Sequence, residues 1–143
     1  MCAASPGAIL TVGPMALRSL IVDDNAGYLA AARALLEREG VAVVGVASSC
    51  AEAVQLAGKL HPDVALVDID LGDESGFDVA RRLAGAGGSA LAPVVLISAY
   101  PEGEFAELIA ASPAVGFLEK SSVSAESILQ VLRNGSDVGQ DGG

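Results

Sequence analysis

From Leu17 onward the chain alternates short apolar runs with stretches in which apolar residues recur every three or four positions. The first run, residues 17–22 (LRSLIV), ends in Asp23-Asp24-Asn25. Over 26–38, Leu29, Ala32, Leu35 and Leu36 fall at helical spacing with Arg33, Glu37 and Arg38 opposite, and Gly40 ends the helix. Residues 41–47 (VAVVGVA) predict a second strand. Ser49-Cys50-Ala51-Glu52 has the form of a capping box, opening a helix to about Leu60 that Pro62 closes. Residues 64–67 (VALV) run straight into Asp68 and predict a strand buried on both faces.

Ser75 is placed to cap a helix over 76–83 that turns Phe77 and Leu83 inward, and the Gly-Ala-Gly-Gly-Ser stretch from Gly85 predicts a flexible loop. Residues 93–97 (PVVLI) form a fourth strand ending in Ser98-Ala99-Tyr100. A weaker helix over 103–110 has Phe105, Leu108 and Ile109 as its apolar face. Residues 115–118 form a fifth strand, followed by Glu119-Lys120. Ser124 caps a last helix containing Ile128, Leu129 and Leu132.

Five strands alternating with five helices predict an α/β domain. With right-handed crossovers, the expected architecture is a flavodoxin-like doubly wound (βα)5 with a parallel five-stranded sheet of order 2-1-3-4-5. The domain is expected over 16–134, between a disordered leader (1–15) and a disordered tail (135–143), with Met15 an alternative start. Hydrophobic residues make up 52% of the chain but aromatics only 3%, which gives the aliphatic core that helix-covered parallel sheets require.

The net charge of −10 argues against direct nucleic-acid binding or an anionic membrane and fits a divalent cation or a basic partner. No apolar run is long enough to span a membrane, so a cytoplasmic location is expected. Cys2 and Cys50 have no metal-ligand spacing and are expected as free thiols.

The chemistry-bearing residues share one address, the carboxyl ends of strands. Strand one supplies Asp23 and Asp24, strand three Asp68, strand four Ser98, and Lys120 follows strand five. In the order 2-1-3-4-5 these ends converge on one crevice. Taken singly, Asp23-Asp24 reads as a solvated turn, Ser98 as a backbone partner and Lys120 as a surface charge. Together they make three carboxylates that repel unless a cation joins them, an all-oxygen set suited to Mg2+. An aspartate beside Mg2+ and a lysine is a credible nucleophile toward a phosphoryl group.

In LIVDDN, PDVALVDIDLGDESGFDV, VVLISAY and GFLEK the chain resembles a receiver domain of a two-component response regulator over about residues 17–133. The resemblance implies that Asp68 accepts phosphate from a histidine kinase or phosphotransfer protein. It implies further that Asp24, Asp68 and the backbone carbonyl of Asp70 coordinate Mg2+, with Asp23 completing the acidic pocket through a water. Ser98 and Lys120 would contact the phosphoryl group, and Phe117 matches an aromatic switch that turns inward with Ser98. Two departures stand out: Gly72 where many receivers have proline, and Ser121 where many have a proline after the lysine.

The 35–54 stretch and the lysine-serine ending are most similar to receivers that precede a helix-turn-helix DNA-binding domain, yet only about ten residues follow Arg133. The expectation is therefore a single-domain switch that changes a protein-interaction surface for an output protein, not an enzyme, with homodimerisation left open. The alternatives are an N-terminal fragment of a DNA-binding regulator, a pseudo-receiver with a vestigial site, and a phosphohydrolase. Asp68-Ile69-Asp70 has the DxD form of aspartyl-phosphate hydrolases, but on the third strand where they carry it on the first.

Overall fold

Each apolar run of the sequence becomes a strand of one sheet. The structure is a computed structural model that describes residues 17–85 and 91–142, with side chains as far as Asn134. The expected leader, Cys2, Met15 and residues 86–90 of the glycine-rich loop lie outside the described residues. The strands are β1 (Arg18–Val22), β2 (Ala42–Ala47), β3 (Val64–Asp68), β4 (Val94–Ser98) and β5 (Gly116–Glu119). They pair in parallel in the order β2-β1-β3-β4-β5, as expected, with β3 beside β1 and β4.

The helices are α1 (Ala26–Arg38), α2 (Cys50–Leu60), α3 (Gly76–Leu83), α4 (Ala106–Ala111) and α5 (Ala125–Gly142). Alternate strand residues feed the two faces. Leu20, Val22, Ala65, Val67 and Leu96 pack with Ala53 and Ala57 of α2 and Phe77, Ala80 and Leu83 of α3. Ile21, Leu66, Val95 and Ile97 pack with Ala32 and Leu36 of α1 and Ile128 of α5. Burial on both faces is why β3 and β4 read as continuous apolar runs rather than alternating ones.

Local chemistry sets the helix ends. Asn25, Ser49 and Ser75 accept hydrogen bonds from Tyr28, Glu52 and Phe77 N–H and cap α1, α2 and α3. The Glu52 carboxylate reaches the N–H of Ser48 rather than that of Ser49, so the capping box is displaced by one residue. α1 ends in a Schellman turn: Gly40 takes φ +91, its N–H donates to Glu37, and Val41 N–H donates to Leu36. His61 ends α2 in the left-handed region before Pro62. Ser124 accepts from Ser127 N–H, as expected of the α5 cap.

Three expectations are corrected. A two-stranded antiparallel ribbon, Asp70–Leu71 with Glu74–Ser75, stands where a plain loop was expected. Its two-residue turn carries Gly72 at φ +75, which proline cannot adopt, and uses the Gly72 N–H that proline lacks. Leu108 is 56% exposed rather than part of the apolar face of its helix, because it sits one residue around the helix from Ile109. Finally, α5 continues to Gly142 instead of giving way to a tail after Asn134, since extending a formed helix adds one hydrogen bond per residue without a new nucleus.

Candidate functional site

The carboxyl ends of β1, β3 and β4 and the turn after β5 surround one cleft of about 590 Å³. Asp23, Asp24, Asp68, Asp70, Ser98 and Lys120 all line it. β1 passes directly into Asp23, which is fully buried and whose N–H still follows the ladder by donating to Ala47 at 2.9 Å. Asp23 Oδ1 accepts from Asn25 N–H at 2.9 Å. Asp24 is exposed at the cleft rim. Asp68 ends β3, is 6% exposed, and takes the Asp70 N–H on Oδ1 at 3.1 Å.

Among the described residues, one cation faces these carboxylates. Lys120 Nζ stands 2.6 Å from Asp23 Oδ2 and 3.1 Å from Asp68 Oδ2. The buried Asp23 Oδ2 takes no aligned hydrogen bond among the described residues, so the ammonium meets it as an ion contact. Carboxylate oxygens of Asp23, Asp24 and Asp68 lie within 4.8 Å of one another. Two of the three acids being largely buried, one lysine leaves the group short of positive charge. Three clustered carboxylates offering hard oxygen donors, with one ammonium to neutralise them, fit a hard divalent cation.

The electrostatics follow from that shortage. Burial pushes the Asp68 carboxyl up to about 6, with the Asp23 charge adding to the rise, while the Asp70 N–H and Lys120 hold it down. For Lys120, burial works against the charged form, but the close contacts with the Asp23 and Asp68 carboxylates outweigh it and raise the pKa, so the ammonium stays charged. Burial, then the charges of Asp23 and Asp68, push the Tyr28 phenol up to about 12.

Ser98 is buried, and its Oγ accepts from Tyr100 N–H at 3.0 Å, leaving its own proton to donate toward the cleft. The Asp70 carboxylate is not in the acidic group. It is exposed and accepts from Gly72 N–H at 3.1 Å, shaping the ribbon turn. Phe117 of β5 pairs with Leu96 of β4, is half-buried against the α2–α3 side of the core, and does not line the cleft.

Sequence reasoning missed two residues here. Glu74 leaves the ribbon to accept from Cys50 N–H at 2.8 Å, fastening the loop after Asp68 to the start of α2. Tyr28 places its ring under the Lys120 ammonium and its hydroxyl on the Lys120 carbonyl. The one available signal for Tyr28 was its place in the first turn after the acidic pair. Cys50 is a buried free thiol whose pKa is raised by its burial.

Comparison with known proteins gives a consistent result. A family model described as the response regulator receiver domain matches residues 19–133. The transcriptional regulatory protein PdtaR of Mycobacterium tuberculosis is 30% identical over 72% of this chain and 49% of its own length. The signal receiver domain of a modulated diguanylate cyclase from Desulfovibrio desulfuricans G20 is 34% identical at a TM-score of 0.67, covering 82% of this chain and 91% of that one. A response regulator protein from Burkholderia pseudomallei, solved with a phosphorylated aspartic acid and a calcium ion, is 29% identical at a TM-score of 0.69 over 87% and 72%. The chain spans about half the length of the curated relatives it matches first.

Proposed function

The chain belongs to the response regulator receiver domain family, a signalling module and not an enzyme in itself, and from that premise we propose that Asp68 is its phosphoryl acceptor. The observation that carries this reading is the contact of Lys120 with both Asp23 and Asp68 at the end of a wholly buried strand. The donor is a histidine kinase or phosphotransfer protein. An Asp68 oxygen attacks phosphorus, the new O–P bond replaces the N–P bond of a phosphohistidine, and the departing nitrogen keeps the electron pair.

This chain's own residues do the positioning. With a pKa of about 6, Asp68 is ionised near neutrality and available to attack. Lys120 neutralises charge on the transferred group, and Ser98 gives its hydroxyl proton to a phosphoryl oxygen. Asp24, Asp68 and the Asp70 carbonyl would hold Mg2+, with Asp23 completing the acidic pocket, in keeping with the acidic pocket at which receiver domains bind this ion. When bound, the ion supplies positive charge against the phosphoryl oxygens. The phosphorylated aspartate and metal of the Burkholderia pseudomallei relative support the same reading here.

Phosphorylation draws Ser98 toward Asp68, and Phe117 on the adjoining strand turns inward, altering the α4–β5–α5 surface for an output protein. No helix among the described residues is long and apolar enough to cross a membrane. A second reading, that the receiver drives a DNA-binding domain in the same polypeptide, is favoured by the greater length of its relatives. The downstream reading frame decides between the two.

The chemistry is tested by incubating the protein with Mg2+ and acetyl phosphate and weighing it intact. The expected result is one added phosphoryl group, absent without Mg2+ and absent in Asp68→Asn. An unmodified wild-type protein, or one labelled equally in Asp68→Asn, overturns the proposal.

A further inference from the structure

Tyr28 lies outside the acidic group, yet it touches Lys120 at both ends. Its hydroxyl donates to the Lys120 carbonyl oxygen at 3.2 Å across 92 residues of sequence. The Lys120 ammonium lies over the Tyr28 ring, 4.6 Å from the centroid. We propose that Tyr28 is a positioning residue for Lys120, holding the ammonium on the Asp23–Asp68 carboxylates so that it meets the incoming phosphoryl group. The inference rests on the phosphoryl-acceptor reading above and adds a residue to it.

Lys120 has weak local support. It follows the half-buried strand β5 and opens a single 3-10 turn, Lys120–Ser122, that has no side-chain cap. Its side chain is long and loses much rotamer freedom when held in one place. Tyr28, by contrast, belongs to the first turn of α1, and its N–H is fixed by the Asn25 cap at 3.0 Å. That turn follows Asp23 and Asp24 directly. Tyr28 therefore refers the lysine to the same element that places the acidic pair.

An aromatic face suits the task better than another acid would. A further carboxylate could hold the ammonium, but it would add negative charge opposite a phosphoryl group. The ring attracts the cation without net charge and occupies no N–H. All three ammonium protons stay available to Asp23, Asp68 and the phosphoryl oxygens. Because the attraction is not sharply directional, the ammonium can move from the Asp68 carboxylate to the new phosphoryl oxygens and remain over the ring.

A merely structural role is the alternative, since Tyr28 also lines a small hollow with Ala31, Ala32, Leu35 and Val123. A kinetic cycle on the full chain separates the two. Phosphorylation by acetyl phosphate with Mg2+ is timed for wild type, Tyr28→Phe and Tyr28→Leu, each with Lys120 present and with Lys120→Ala. With Lys120 present, Tyr28→Leu is expected to slow labelling roughly 5- to 10-fold and Tyr28→Phe about 2-fold, from loss of the cation–π contact and the hydrogen bond.

With Lys120→Ala neither substitution should slow it further, and calorimetric Mg2+ affinity should stay at the wild-type value in both. Labelling of Tyr28→Leu at the wild-type rate, or equal slowing with and without Lys120, overturns the proposal. If Tyr28→Leu does not fold, the Tyr28→Phe arm carries the same cycle. If Lys120→Ala is too slow to time, the cycle is read from affinity for the phosphoryl mimic beryllofluoride. A wild-type protein that takes no label at all removes the acceptor reading itself, a result distinct from these.

Discussion

β3 and β5 both deliver residues to the cleft, but all five residues of β3 are buried, whereas β5 has three half-buried residues and one exposed. β3 lies in the middle of the sheet, between β1 and β4, and ends in Asp68. β5 lies at the edge beyond β4 and leads to Lys120. α4, just before β5, has no buried residue, and Leu108, Tyr100 and Val115 are exposed nearby. The end of the cleft that carries Asp68, the proposed acceptor, is set in a packed core. The end that carries Lys120 is attached to the part of the fold with least apolar burial, where local opening is easiest.

Four measurements can break or sharpen this contrast. The largest effect is expected at the centre. Leu66→Ala on β3, in a side chain with no exposure, should cost about 3 kcal/mol in urea unfolding, against roughly 1 kcal/mol for the half-buried Leu118→Ala on β5. Equal losses would mean the edge is as tightly packed as the centre.

A glycine series gives the second test. An added Cβ at Gly76 would collide with the backbone oxygen of Asp68, which cannot move without moving the Asp68 side chain. Gly76→Ala should cost about 2–3 kcal/mol and also slow phosphorylation. At Gly116 the obstruction is the Val131 side chain at 2.3 Å, which can rotate, so roughly 1 kcal/mol is expected and labelling should persist. At Gly103 nothing lies within 4 Å, and Gly103→Ala should change stability by less than about 0.5 kcal/mol.

The third test is a pH effect. Well below the ordinary value of 3.8 the Asp68 carboxyl is neutral in both folded and unfolded chains. As pH rises toward the folded value of about 6, the unfolded chain gives up its proton first, so folding loses stability. Asp68→Asn, measured by thermal unfolding in chelator, should therefore be more stable than wild type at pH 7–8 and no more stable well below pH 3.8. Because the carboxyl opens onto the cleft, screening holds the gain to about 1 kcal/mol. A pH-independent difference would show that Asp68 is not strained by its burial.

The smallest effect is expected at the exposed edge. Leu108→Ala should leave stability within about 0.5 kcal/mol of wild type, while Phe117→Ala, which removes a half-buried ring from the core margin, should cost roughly 1–2 kcal/mol. If Leu108→Ala instead weakens capture of an output partner by the phosphorylated form without altering labelling, the edge acts in output rather than in folding.

Strand and helix identities were legible because both signals are local. Valine-rich runs stopped by glycine, proline or acidic residues mark the strands, and Asn25, Ser49, Ser75 and Ser124 sit where helix caps are required. The ribbon after β3 was not legible. Two-residue strands are too short to carry a period, and only the left-handed Gly72 turn marks them. Leu108 misled because the short helix α4, packed at an edge, covers a narrower apolar stripe than its composition offers.

The sequence by itself determined the sheet order and the convergence of Asp23, Asp24, Asp68, Ser98 and Lys120 on one cleft. Each lies at or just beyond a strand end, and handedness leaves little freedom in how strand ends are arranged. Only the tertiary structure decided how these groups face one another. It made Asp23 the fully buried acid and Asp24 the exposed one, turned the Asp70 carboxylate aside, and set Tyr28 beneath Lys120. Those outcomes depend on side-chain directions and on contacts spanning some 90 residues, which no local pattern in the chain encodes.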